Sequence, residues 1–395
     1  MRPCASRTDE SPASPSVADR VAGLATAYVH VPFCARICPY CDFAVVEGRD
    51  DLADRYLAAL TAEIDRAEPW RPLDAVFVGG GTPSRFGSAR LVRVLDALDG
   101  RYGRVDEAEV TLEANPEDWT PDLAAALAGA GYNRVSFGAQ SFDASVLSSL
   151  GRRHTSERIE AAVATARREG FASISLDLIF GTPGETLATW RQSVERAVGL
   201  DPDHVSCYAL TVERGTPLGR SVAAGAPAPD PDHQADEYEL ADRLLTEAGL
   251  VRYEVSNWAR PGHACLYNLA VWAQGEYEAF GNGAHGFRHG HRFRNVRRLD
   301  AYLDRIEGHD SPRAGADPLR GWEREIDRLF VGLRRVAGVP PGPGTEALLG
   351  SEAGRRLLDL GLIEVAAGRV RVVDPLLTDE VERAVLDLAP PDPGV

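Results

Sequence analysis

A chain of 395 residues has room for two or three domains and a sizeable core, and its 44% apolar and 26% charged residues are ordinary for a globular protein. The net charge is −16 and every basic residue is an arginine, so no excess of cations is available for a phosphate backbone or an anionic lipid surface. No apolar run approaches the ~20 residues of a membrane span; neither nucleic-acid binding nor stable membrane insertion is expected.

In chain order, Met1 to Ala22 is rich in Ser, Pro, Ala and acid. It lacks a charged segment followed by an apolar core, so residues 1–24 read as a disordered tail and not as a signal peptide. From Ala27 the pattern alternates. Strands are expected at Tyr28–Val31, Ala75–Val78, Glu109–Glu113, Arg134–Phe137, Ile174–Ile179 and Val205–Leu210. Helices are expected at Asp51–Ala67, Ser88–Leu98, Pro121–Ala130, Ser156–Glu169 and Thr186–Val198. Strand and helix repeating every ~30–40 residues means βαβ units and a parallel sheet. Six units are fewer than the eight of a closed barrel, so residues 25–222 predict an open, partial (β/α)6 barrel in an α/β chain. A Pro- and Ala-rich linker is expected at 223–235 and a mixed region at 236–310, with Arg252–Trp258 as a strand. Residues 311–395 predict a smaller, mainly helical domain with a hairpin near Leu362–Val373, resembling a winged helix.

Within the first unit, Cys34, Cys38 and Cys41 share one short loop. An odd count in a chain with no sign of secretion argues against a disulfide and fits a reducing, cytoplasmic setting. Structural zinc needs four closed ligands, and His30 would have to be the fourth. Fe–S clusters are held by cysteine thiolates, usually four; three on one loop leave one iron of a [4Fe–4S] cluster for an outside ligand.

Other polar residues gather where the predicted strands end, which is where α/β folds place their chemistry. Gly79-Gly80-Gly81-Thr82-Pro83 follows the second strand and lets a ligand approach bare backbone. Glu113 closes the third strand, Gln140 follows the fourth, Arg152 comes soon after, and Asp177 lies on the fifth. Each alone reads as a satisfied rim or core group. Together they offer a carboxylate for an ammonium, an amide, a guanidinium for a carboxylate, and an acid for hydroxyls.

These segments resemble the radical-SAM family of oxygen-independent coproporphyrinogen III oxidases and the related haem chaperones called HemW, from Ala27 to about Glu380. The carriers are Cys-Ala-Arg-Ile-Cys-Pro-Tyr-Cys-Asp-Phe (34–43), Phe-Val-Gly-Gly-Gly-Thr-Pro-Ser (77–84), Leu-Glu-Ala-Asn-Pro (112–116), Leu-Gly-Arg-Arg-His (150–154), Tyr-Glu-Val-Ser-Asn-Trp (253–258) and Gly-Ala-His-Gly (283–286). The resemblance implies a [4Fe–4S] cluster on the three cysteines and S-adenosylmethionine against Tyr28, Gly80 and Glu113. It further implies that Gly81, Thr82, Gln140, Arg152 and Asp177 line the adjoining region, with Tyr40 between. The oxidases of this family carry a fourth Cys two residues after the third; here that place is Phe43, the form of the chaperone branch. That branch has a His-Asn-x-x-Tyr-Trp motif, where this chain has Tyr267-Asn-Leu-Ala-Val-Trp272. Candidate haem ligands are therefore Tyr267, Cys265, His263 and His285, set against a packing aromatic, a buried thiol, a solvated loop residue and a turn anchor. The expected function is a haem chaperone that carries haem as cargo to apo-haemoproteins, respiratory and membrane-bound ones among them. The alternative is a coproporphyrinogen III dehydrogenase.

Overall fold

The computed structural model describes residues 20–390. Most of the tail expected at 1–24 lies outside the described residues; its last part, Val21–Gly23, is a 3-10 turn that leads into the first strand.

Six strands run parallel in chain order: β1 (Thr26–Val31), β2 (Leu73–Gly80), β3 (Arg104–Ala114), β4 (Arg134–Gln140), β5 (Ser173–Phe180) and β6 (His204–Ala209). Their centres are apolar because both faces are covered there: Val29, Val76, Val110, Val135, Leu176 and Val205 have no exposed surface. Two of the intervening helices, Pro121–Ala130 and Leu187–Gly199, start on side-chain caps. The Thr120 side chain accepts from Leu123 N–H ahead of Pro121, and Thr186 and Thr189 form a capping box.

The later chain does not build a separate layer but extends this sheet at both edges. β7 (Val251–Glu254) and β8 (Asn257–Ala259) add to β6 as an antiparallel hairpin. β9 (Tyr277–Phe280) lies parallel to β1 on its free side, followed by β10 (His285–Arg288), β11 (His291–Asn295) and β12 (Arg313–Pro318). The order is β12-β11-β10-β9-β1-β2-β3-β4-β5-β6-β8-β7; the two ends do not pair, so the sheet stays open.

Three local differences from the sequence reading have physical reasons. Arg252–Trp258 is a hairpin and not one strand, because the buried Glu254 carboxylate accepts from Ser256 N–H (3.0 Å) and the Asn257 amide and folds the backbone over. The expected linker becomes helical from Pro231, since Asp230 caps Asp232 and His233 N–H with proline in the first turn. The helical domain expected from residue 311 begins instead with β12, which pairs along its length with β11 and so still belongs to the large sheet.

Helices Gly321–Gly332, Pro343–Gly350, Glu352–Asp359 and Thr378–Leu386, with the hairpin Ile363–Ala366/Arg369–Val372, close on a second core of Leu329, Leu333, Leu348, Val381 and Val385. No helix among the described residues is long and apolar enough to cross a membrane.

Candidate functional site

The cysteine loop leaves the C-terminal end of β1 and is stapled at its base. Phe33–Cys34 pairs with Val46–Glu47, and Ile37 N–H donates to Glu47 Oε2 at 3.0 Å. Arg297, from the turn after β11, holds the far side through the Asp42 carboxylate (2.9 Å) and the backbone carbonyls of Asp42 and Phe43. The three thiols are free and face a cavity of about 570 Å3. Gly80, Gly81, Thr82, Glu113, Gln140, Arg152, Asp177 and Tyr40 line the same cavity. The parallel register explains the convergence, because every strand delivers its C-terminal residues to one rim.

The glycines are required by approach. A Cβ on Gly81 would stand 2.8 Å from the Pro32 carbonyl and 2.9 Å from Cys34 Sγ. One on Gly79 would meet Glu113 Oε2 at 2.8 Å, and one on Gly80 the His30 ring at 2.6 Å. The β2 exit thus passes directly under the loop. Gly80 N–H donates to Glu113 Oε2 (2.9 Å). A polar chain runs Arg152 Nη1 to Asn115 Oδ1 (2.9 Å), Asn115 Nδ2 to Thr82 Oγ1 (3.2 Å) and Thr82 Oγ1 to Cys34 Sγ (3.6 Å). Ser136 Oγ donates to both oxygens of Asp177 at 2.9 and 3.0 Å. Gln140 ends β4 with φ +64°, a left-handed conformation costing a non-glycine residue of order 1–3 kcal/mol. Its register slip against β5 turns the amide into the cavity.

Electrostatics fit a metal–sulfur centre. Burial, and the neighbouring Cys41 and Cys38, push the Cys34 thiol up to about 11 against the help of the Thr82 hydroxyl; burial raises Cys41 too. Three such thiols ionise together only if cationic charge joins them. Arg152 supplies part of it, and its buried Nε has no hydrogen-bond partner among the described residues. Burial lifts Glu113 to about 7, opposed by Gly80 N–H and assisted by the Asp177 charge, so an ammonium beside it would return it to carboxylate. Burial also raises Asp177 and Tyr40. Among the described residues no three His, Cys, Asp or Glu side chains are gathered tightly enough for a single metal ion. A donor set of three spaced thiols, beside a guanidinium whose Nε is unbonded among the described residues, suits a larger cluster and a carboxylate-bearing ligand.

A second cavity of about 600 Å3 lies next to the first; Gly80, Glu113, Asp42 and Phe43 line both. Tyr28, Tyr267 and His285 face it, with Tyr277, Arg294 and Arg297. The Tyr28 and Tyr267 rings stack at 6.0 Å. Because His30 Nε2–H is committed to the Ala44 carbonyl (3.0 Å), its Nδ1 accepts from Tyr28 OH (3.1 Å), and burial holds this ring neutral, down at about 4.

Two of the four residues marked for haem lie elsewhere. Cys265 is buried against Glu109 (Sγ to Oε1, 3.4 Å), and burial drives its thiol up. The His263 carbonyl accepts from Arg134, the first residue of β4, and its ring lies 3.9 Å from Asp203, just before β6. Both residues therefore pack beside the β3–β6 strands, away from the cysteine loop, and line neither cavity. Asn115 was missed, though findable two residues beyond Glu113 at a strand exit.

Comparison with known proteins gives the lineage. The radical SAM superfamily signature matches residues 28–197. The heme chaperone HemW of Mycobacterium tuberculosis is 41% identical over 379 residues, covering 91% of this chain and 94% of that protein. The chain belongs to the radical SAM superfamily, in its HemW branch. Bacillus subtilis HemW is 36% identical, with 80% of this chain and 84% of that one aligned. The solved coproporphyrinogen III oxidase HemN of Escherichia coli superposes with a TM-score of 0.80 over 92% of this chain and 90% of its own, at 22% identity, and so shares the fold.

Proposed function

We propose that this protein is a haem chaperone of the cytosol. It binds haem, carries a [4Fe–4S] cluster with S-adenosylmethionine, and delivers haem to apo-haemoproteins, including respiratory proteins at the membrane. Cys34, Cys38 and Cys41 would hold three irons. Glu113 and the backbone at Gly80 would take the ammonium of the methionine moiety, Arg152 a carboxylate, Asp177 the ribose hydroxyls, and Gln140 and Thr82 the adjoining rim. Tyr28, fixed by His30, would orient the group from the other side. A reduced cluster with bound S-adenosylmethionine supplies one-electron cleavage chemistry. The chain's own part is to enclose the site, present in Glu113 a buried carboxyl whose ionised form a bound ammonium favours, and hold the loop against the β2 exit.

The supporting observation is end-to-end similarity, 41% over 379 residues, to proteins named as heme chaperones, together with Phe43 in place of the extra cysteine. The test is titration of the anaerobically reconstituted full chain with ferric haem, then transfer to an apo-haemoprotein, with a porphyrinogen assay on the same sample. Stoichiometric haem binding and transfer with no protoporphyrinogen is expected. Protoporphyrinogen formation without haem binding would replace this reading with the oxidase.

A further inference from the structure

We propose that His204 is a positioning residue for the first cavity: through Ser175 it aims the Asp177 carboxylate, and Tyr253 in turn fixes the His204 ring. The inference rests on the reading of Asp177 as acceptor of the ribose hydroxyls and adds the device that holds it.

The inside of a barrel is ordinarily filled by branched apolar side chains. Here one stretch of it is polar. Alternate residues of a strand share a face, so Ser175 lies on the same side of β5 as Asp177. The register sets Ser136 of β4 and His204 of β6 beside Ser175, and Ser206 of β6 beside Asp177. Ser175, His204 and Ser206 are each at most 3% exposed. Polar groups buried so deeply are costly without partners, and here the partners run in one line. Ser175 Oγ lies 3.4 Å from Asp177 Oδ1 and 2.8 Å from His204 Nδ1. His204 Nε2 lies 2.9 Å from the hydroxyl of Tyr253 on β7, with the two rings 5.6 Å apart. The line therefore runs from a residue of the cavity wall to the last strand of the sheet.

The direction of the line follows from its ends. Burial raises Asp177, but the Ser206, Ser136 and Ser175 hydroxyls and Arg134 all favour its ionised form. An ionised carboxylate only accepts, so Ser175 spends its single proton on Asp177 and must itself accept, from His204 Nδ1–H. The remaining nitrogen, Nε2, then accepts from Tyr253 O–H. This needs a neutral imidazole and a protonated phenol. Burial, with Arg134 and His263 nearby, holds His204 neutral, and burial keeps the proton on Tyr253. The Asn268 side chain, on helix Leu266–Trp272, is hydrogen-bonded to Tyr253 as donor and leaves the phenol proton for His204. Ser136 Oγ is shared between both oxygens of Asp177 and so does not distinguish them; Ser175, at Oδ1 alone, does. With its proton directed by His204, Ser175 sets the rotation of the carboxylate that a ribose would meet.

The test is ligand binding to the full chain, reconstituted anaerobically and kept oxidised so that the sulfonium is not cleaved. The probes are S-adenosylmethionine and its 2′,3′-dideoxyribose analogue. Wild type is expected to bind the first more tightly than the second, and Asp177→Asn to close that gap. Ser175→Ala and His204→Leu are expected to weaken S-adenosylmethionine about tenfold and to leave the analogue unchanged; a loss of packing alone would weaken both probes alike. His204→Asn, whose amide restores a donor near the Nδ1 position, is expected to keep most of the gap. Circular dichroism and iron content check that each variant is folded and loaded, and Ser175→Ala, the smallest change, decides if His204→Leu fails those checks. The positioning role is overturned, with the ribose reading intact, if Asp177→Asn closes the gap while Ser175→Ala keeps it or weakens both probes alike. It is overturned equally if His204→Asn behaves as His204→Leu. A gap that survives Asp177→Asn overturns both.

Discussion

Gly81→Ala isolates the packing on which the cluster loop depends. Gly81 lies outside the left-handed region, so the added methyl brings no left-handed backbone strain; its effect is contact. The new carbon would lie 2.8 Å from the Pro32 carbonyl carbon and oxygen and 2.9 Å from Cys34 Sγ, so it must retreat by about 0.6 Å to reach ordinary contact at 3.4 Å. Two of these neighbours are backbone, tied by Val46 N–H to Pro32 O and Gly81 N–H to Val31 O at 2.8 Å each, and cannot swing aside as a side chain could. Overpacking of this kind costs about 1–3 kcal/mol, and the strain falls on the first ligand thiol. The control is Gly129→Ala, in helix Pro121–Ala130 with nothing within 4 Å of the new methyl; it should stabilise by about 0.5–1 kcal/mol through helix propensity. Denaturant unfolding of the metal-free chain, with iron content after anaerobic reconstitution, reads both. Opposite signs in stability are expected, with iron lost only from Gly81→Ala. A neutral Gly81→Ala with full iron would refute the close passage of β2 under the loop.

Thr82→Val removes the acceptor of Asn115 Nδ2 and the donor to Cys34 Sγ. With the Asn115 amide left unmatched it should cost about 1–3 kcal/mol in denaturant unfolding. Glu113 has its folded value raised from 4.5 to about 7, so its contribution to stability is fully present below 4.5 and is lost as pH rises through about 7. Glu113→Gln should flatten that part of the stability profile between pH 5 and 7.5 in the ligand-free chain, and an unaltered slope would show that Glu113 titrates normally. Phe43 is 67% exposed yet lines both cavities. Phe43→Ala should leave the unfolding midpoint within about 0.5 kcal/mol of wild type and lower haem affinity in the titration.

The barrel was legible because β1–β6 have apolar centres at regular spacing with helical stretches between them, and those signals are local. The edges were not. β9 carries no sign in its four residues that it will lie beside β1, some 250 positions earlier; that pairing is settled by burial of Ala279 and Phe280 against the barrel. The hairpin at 252–258 turns on one buried carboxylate, which sequence pattern cannot weigh. Cysteine spacing and strand-end position located the residues that share the first cavity. Sequence adjacency misled at His263 and Cys265, because the segment before Tyr267 runs beside the β3–β6 strands before helix Leu266–Trp272 brings Tyr267 back to Tyr28.

The claim on which everything rests is that three thiols on one loop hold a cluster with one iron left for an organic ligand. Iron and acid-labile sulfide should be measured on the anaerobically reconstituted full chain and on Cys38→Ala. The account predicts about four of each per wild-type chain and loss of both in the variant. Stoichiometric zinc, or iron without sulfide, would contradict it.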